Sequence, residues 1–450
     1  MSPAQPNRPL SNPEGGHFAS GAGGLCSRRT VSSACLLFLV LWLGGCGRRD
    51  IVRPTPQMDI ESQFWVRVLL ESNAAECTVE VPSRFHLHKA EFDPAIPAGG
   101  SLMEATPGEV SVSLVGGRLM LGGTAVPENE LVISPASPHV FRLNGDDYRG
   151  RLKLAVDRDG RTFDAINLVP LEPYLAGVVG AEMPSYWEPA ALRAQTIAAR
   201  TYCLFIKNRF GVNRHYDVSQ TQASQVYGGI GAESAQVWDA VSSTHGKVLV
   251  TKERPPASQW SSEMLSRGVF PAYYSSICGG HTADSEDVFG DSFSTLRGAP
   301  CPHCKDVAKL GLFFWPMVQM DRLTVTSQLA ARYPKLKRLG TIREISADGH
   351  TDHGRFSRLT RIKLVGQTGK TDTLRAEDLR LSLDPSGRRI RSTICQVVPW
   401  NDGWAFLAGR GWGHGVGLCQ HGAQGLARLG AGTEEILQHY YPGAEIVNVY

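Results

Sequence analysis

Four segments of the chain gather residue types that do acid–base, sugar-binding or metal chemistry. In GAEMPSYWEP, Gly180 to Pro189, Glu182 lies between small Gly180 and Ala181 and bulky Met183, Pro184 and Trp187. A carboxylate with apolar neighbours has its ionised form disfavoured, so it holds a proton near neutrality and can serve as a general acid. The competing reading is a first-turn glutamate complementing a helix dipole, a role for which Glu188, directly before Pro189, has the stronger claim. In HYDVSQTQASQVYGG, His215 to Gly229, short hydrogen-bonding groups that include Ser224 and Gln225 lead to Tyr227 and two glycines. Donors and acceptors beside an aromatic platform suit a sugar, and a polar surface turn would read the same way.

The third segment puts Cys278 and His281 at x2 spacing and Cys301 and Cys304 at x2 spacing, with 19 residues between the pairs. That arithmetic matches a structural zinc site, and a disulfide from Cys278 to Cys301 or Cys304 is the alternative in an exported protein. With all four ligands protein-derived the shell is closed, and the metal supports the fold without activating water. The fourth segment runs from Ala408 to Gly430, where Gly409, Gly411, Gly413, Gly415 and Gly417 alternate with Arg410, Trp412, His414 and Val416. Read as a strand, the glycines clear one face for a ligand or backbone while Arg410, Trp412 and His414 share the other. The missing Lys-Ser/Thr ending argues against a phosphate loop.

These segments need a frame. The chain has 450 residues, long enough for two to three domain-sized units, and 48 glycines with 27 prolines favour turns and short strands. The +3 net charge gives no basis for a polyanion-wrapping surface, so nucleic acid is not an expected partner. Short Val/Leu-rich runs from Phe64 to about 165 read as strands and turns. Next, Leu192, Ala199, Cys203, Ile206 and Phe210 recur at helical spacing, with Gly211 as the stop. A second β-rich stretch runs from about Leu323 to Val398, and GTEEILQHYYPG reads as a short helix N-capped by Thr433. The expected class is α+β: a β-rich part (63–165), a mixed core (166–310), a β-rich insertion (311–400), and a 401–450 segment that completes the core.

The N-terminus sets the compartment. The apolar run Ala34 to Leu43 follows Arg28 and Arg29 and precedes Leu-Gly-Gly-Cys. It is shorter than the roughly 20 residues of a membrane span, and it reads as an export signal (1–45) cut before a lipidated Cys46, with 46–62 as a tether. A cut elsewhere, and the twin-arginine route, stay open. Of ten cysteines, seven remain after the signal and Cys46, an odd number that excludes a complete disulfide framework. The expected place is the cell envelope, anchored to a membrane by lipid.

Taken together, VPLEPYLAGVVGAEMP, AQTIAARTY, DVSQTQASQVYGG, YYSSICGGHT and GRGWGHGVGLCQHGAQGLA resemble the stage II sporulation protein D and amidase-enhancer family, in order and over roughly Phe64 to Tyr450. The resemblance implies a lytic transglycosylase acting on peptidoglycan glycan strands, above all strands stripped of stem peptides, or an enhancer of a cell-wall amidase. It carries the catalytic glutamate over to Glu182. It also implies a cleft lined by the Ser224, Gln225 and Tyr227 segment and by Arg410, Trp412, His414 and Gln420, with no cofactor needed for the chemistry. In one respect the chain departs from the family. Some members resemble zinc proteins whose Cys and His ligands lie in the segment matching DVSQTQASQVY, where this chain has no cysteine and only His215 could be a remnant. Any metal in this chain, a structural zinc being the candidate, is therefore expected at Cys278, His281, Cys301 and Cys304.

Overall fold

The Val/Leu-rich runs form two antiparallel-dominated sheets that carry the N-terminal part. The computed structural model describes residues 64–89, 101–211, 214–222, 224–252 and 268–450. The expected signal, Cys46 and the tether lie outside these residues. One sheet has seven strands in the order 218–219, 65–74, 163–170, 151–156, 130–135, 85–89, 101–105, and the other has six, from 146–149 to 124–125. The chain is α+β, as expected.

The strand Phe163–Pro170 is buried along its whole length and passes directly into helix α1, Leu171–Glu182. Because eight of the first nine residues of α1 are buried and apolar or small, it is a core helix, not a surface one. Its last residue is Glu182. Helix α2, Pro189–Phe210, ends at Gly211, and its alanines at 191, 194, 198 and 199 let neighbours approach closely. Between them the buried Arg200 guanidinium makes a two-bond pair with Glu172, at 2.6 and 2.8 Å. The C-terminal helix is Thr433–Tyr440, but its cap is Gly432, and Thr433 begins the first turn.

Apolar residues between Trp315 and Phe406 pack into a hydrophobic cluster distinct from the main core. Its scaffold is the three-stranded sheet 342–352, 357–366, 371–375, with the helix Ala376–Leu383. Among the described residues no helix is long and apolar enough to cross a membrane.

The glycine-alternating segment is not the strand expected of it. Only Gly409–Arg410 and Leu418–Cys419 are paired as strands, and Gly411, Gly413, Gly415 and Gly417 all have positive φ, from +69 to +103°. Such angles strain any residue with a Cβ. At Gly417 a Cβ would also collide with the Tyr273 carbonyl oxygen. The segment is a looped ribbon, so Arg410, Trp412 and His414 do not share one face.

Candidate functional site

A cleft of about 490 Å³ lies between the main core and the second cluster. One wall comes from the end of α1, from 222–226, from the Tyr273–Ser276 strand region and from Trp412 to His414 with Gln420. The facing wall is Arg332, Glu377, Arg380, Leu381, Pro385 and Gly387. Tyr202, Tyr273, Tyr274, Phe289 and Trp412 make the lining strongly aromatic.

Glu182 lines this cleft, half-buried at the C-terminal end of α1. It is therefore no first-turn glutamate. A helix C-terminus carries partial negative charge, which disfavours a carboxylate there. Burial holds the Glu182 carboxyl above the usual carboxylate range, while the two bonds it accepts pull the other way. Those bonds come from Gln420 Nε2 to Oε2 and from the Val226 backbone N–H to Oε1, each at 3.1 Å. Gln420 opens the helix Gln420–Arg428, and one turn on Gln424 Oε1 accepts from the Glu188 N–H at 2.9 Å. One helix face thus fixes both sides of the Met183–Trp187 turn.

Of the residues predicted for sugar contact, Ser224, Trp412, His414 and Gln420 reach the cleft with Glu182. Gln225 does not. It is buried behind the wall, accepting from the Tyr174 hydroxyl and donating to the Tyr274 hydroxyl and the Ala199 carbonyl. Tyr227 is also buried, its hydroxyl donating to Asn167 Oδ1 at 3.0 Å and its ring against Tyr148 and Tyr174. Arg410 turns away to the rings of Phe356, Phe313 and Phe314. A polar segment near a cleft must also join its wall to the core, and Gln225 and Tyr227 do that. His414 is held neutral: burial lowers its pKa to about 4, and Nδ1 accepts from the Val416 N–H.

Sequence reasoning missed Glu377 and Arg380, which come from the second cluster. Arg380 bonds both oxygens of Glu377, at 2.5 and 2.9 Å. Burial alone would push the Glu377 carboxyl up, but Arg380, His414 and Arg358 hold it below its ordinary value. It also missed Tyr274, which accepts a bond from Gln225 and whose phenol is kept protonated by burial and by Glu182.

The predicted metal set needs one correction. Cys278, Cys301 and Cys304 come together, but the fourth member is Cys419, and all four sulfurs lie within 4.8 Å of one another. His281 instead bonds the Thr282 carbonyl through Nδ1 and stacks on His353, with ring centres 4.1 Å apart. His281 was chosen for its x2 spacing to Cys278, whereas Cys419 is brought in by parallel pairing of Tyr274–Ser275 with Leu418–Cys419. All seven described cysteines are buried free thiols. His215 pairs with Asp164 at 2.6 Å and takes no part in the group.

A family model described as stage II sporulation protein matches residues 159–250, which include Glu182 and Ser224. An uncharacterized protein of Brachyspira hyodysenteriae is 28% identical over 387 residues, covering 86% of this chain and 94% of its own. Stage II sporulation protein D of Bacillus subtilis is 28% identical over 305 residues, covering 63% of this chain and 76% of its own. The amidase enhancer of Bacillus subtilis is 26% identical over 385 residues, 76% of this chain but half of its own length. With its motifs in order from the strand before α1 to the C-terminal helix, the chain is similar to the stage II sporulation protein D family, whose model it matches over residues 159–250.

Proposed function

We propose that the protein is a lytic transglycosylase that cuts peptidoglycan glycan strands, with Glu182 as its single acid and base. The observation that carries this is the contrast between the two carboxyls of the cleft. Glu182 is biased toward its protonated form, and its hydrogen-bond partners among the described residues are two neutral donors. Glu377 is ionised with both oxygens engaged by Arg380, which suits neither a nucleophile nor a base. A glycosidase using two carboxylates needs a second free one, and a transglycosylase does not.

The step balances as follows. Glu182 gives its proton to the glycosidic oxygen between N-acetylmuramic acid and N-acetylglucosamine as the C1–O4 bond breaks. The muramoyl C6 hydroxyl attacks C1 and passes its proton to the Glu182 carboxylate. The product carries a 1,6-anhydro ring, no water is consumed, and Glu182 is again protonated for the next cut. Tyr202, Tyr273 and Trp412 would stack on sugar rings, and Gln420 would hold the carboxyl in line. No cofactor takes part in bond cleavage, and the metal, a zinc, is structural. Residues 311–400 act as an inserted subdomain closing one side of the cleft. The reading includes export, a lipid anchor at Cys46 and a place in the cell envelope with glycan strands as the partner.

A second reading rests on the amidase-enhancer relative: a glycan-binding protein that stimulates a cell-wall amidase without cutting. Muropeptide mass spectrometry on amidase-treated and untreated peptidoglycan separates the two. Anhydro-muramoyl ends from the wild type and none from Glu182→Gln support the first reading. Intact amidase stimulation by Glu182→Gln, with no anhydro ends from either protein, supports the second.

A further inference from the structure

We infer that Cys278, Cys301, Cys304 and Cys419 hold one tetrahedral zinc ion, and that this metal fastens Gln420 in place against Glu182. The sulfurs lie within 4.8 Å of one another, and those of Cys278 and Cys304 are 3.8 Å apart. With Zn–S bonds of about 2.3 Å, the edge of a tetrahedron of thiolates is about 3.8 Å. A four-iron cubane, in which each thiolate bonds a different iron, spreads its sulfurs wider than this cage. Four thiolates close the shell, which leaves no open position for water activation.

The surroundings fit an anionic centre. The Cys278 backbone N–H points at the Cys419 sulfur at 3.2 Å, and the Tyr440 hydroxyl lies 3.1 Å from the Cys301 sulfur. A zinc tetrathiolate carries two negative charges. The guanidinium of Arg358, fully buried, donates to the Cys278 carbonyl at 2.7 Å and the His281 carbonyl at 3.1 Å, and among the described residues no carboxylate bonds it. A buried cation of this kind needs nearby anions, and the Cys278 and Cys419 sulfurs act on it together with Glu377. Gly422 leaves room for the group: a side chain there would meet the Cys301 sulfur and the Tyr440 hydroxyl.

The ligands come from three separate segments. Cys278 follows the cleft-lining Ser275 and Ser276, Cys301 precedes and Cys304 opens the short helix Cys304–Val307, and Cys419 immediately precedes Gln420. A metal joining them ties the cleft wall to the start of the helix that carries Gln420. The zinc claim stands without the proposed reaction, whereas its effect on Glu182 rests on it.

The test is elemental analysis of the full chain purified without chelators, with zinc release followed during titration by p-hydroxymercuribenzoate. The expected result is one zinc per chain, released as four thiols react. Cys419→Ser should lower zinc affinity at least tenfold in chelator competition, while His281→Ala and Cys203→Ser keep full occupancy. Gln420→Ala should keep its zinc yet cleave glycan more slowly. Iron in place of zinc, two disulfides among these cysteines, or zinc loss with His281→Ala and not with Cys419→Ser would each overturn the site. Full zinc loss in Cys419→Ser with unchanged cleavage would leave the site standing and overturn its link to Glu182.

Discussion

Glu182 and Glu377 line the same cleft and are driven in opposite directions. Glu182 ends a helix from the main core, among apolar groups, with an amide and a backbone N–H as its partners. Glu377 sits in the first turn of the helix Ala376–Leu383, where the dipole favours negative charge, and Arg380 one turn on takes both oxygens. Burial acts on both. What separates them is whether a cation is present to offset it, so the main core holds a carboxyl biased toward its protonated form and the second cluster holds a fixed charge pair.

Removing the proton carrier should have the largest effect on cleavage. Glu182→Gln should lower it by about 10²- to 10⁴-fold, as loss of a general acid does, with glycan binding retained in a pull-down on insoluble peptidoglycan. Breaking the fixed pair should act on stability first. Arg380→Met strands a buried carboxylate and should lower unfolding free energy by about 3–5 kcal/mol in urea titration. The double variant Glu377→Met/Arg380→Met should recover much of that loss. If Arg380→Met were neutral, the pair would not be desolvated and the contrast would fail.

The next two effects are smaller and sharpen the contrast. Gln420→Leu removes a bond that lowers the Glu182 pKa, so that pKa should rise further. In the proposed reaction Glu182 starts protonated, so activity should fall as pH rises through its pKa, and the alkaline limb of the rate profile should move to higher pH. A limb that stays put would show that Gln420 does not touch the working carboxyl. His414 contributes by linkage. Its folded pKa of about 4 lies below the ordinary histidine value of 6.5, so its stability contribution is present above 6.5 and lost as pH falls toward 4. His414→Phe should flatten that acid loss by about 1–3 kcal/mol, at 1.36 kcal/mol per pKa unit.

How legible each part was depends on how local its determinants are. Helix α2 and its stop at Gly211 follow from periodicity and a breaker. Glu182 stood out because its apolar neighbours are adjacent in sequence. Glu377 did not, since nothing near position 377 says that it faces a residue almost two hundred positions earlier. The same distance hid Cys419: x2 spacing sees only neighbours, and a parallel strand pair brings Cys419 to Cys278. The dense polar run from Asp217 to Tyr227 misled for another reason. Donors and acceptors look alike in sequence whether they serve a sugar or the core, and Gln225 spends its amide on Tyr174, Ala199 and Tyr274. The glycine run was misread as a strand because alternation is shared by strands and by loops with positive φ at every second residue.

The claim that one carboxyl does all the proton work is tested most directly by digesting glycan strands with the wild-type protein in water enriched in ¹⁸O. The account predicts new anhydro-muramoyl ends that carry no ¹⁸O. Reducing ends that each gain one ¹⁸O would show hydrolysis, a second working carboxylate, and a wrong assignment of Glu377 as a fixed charge.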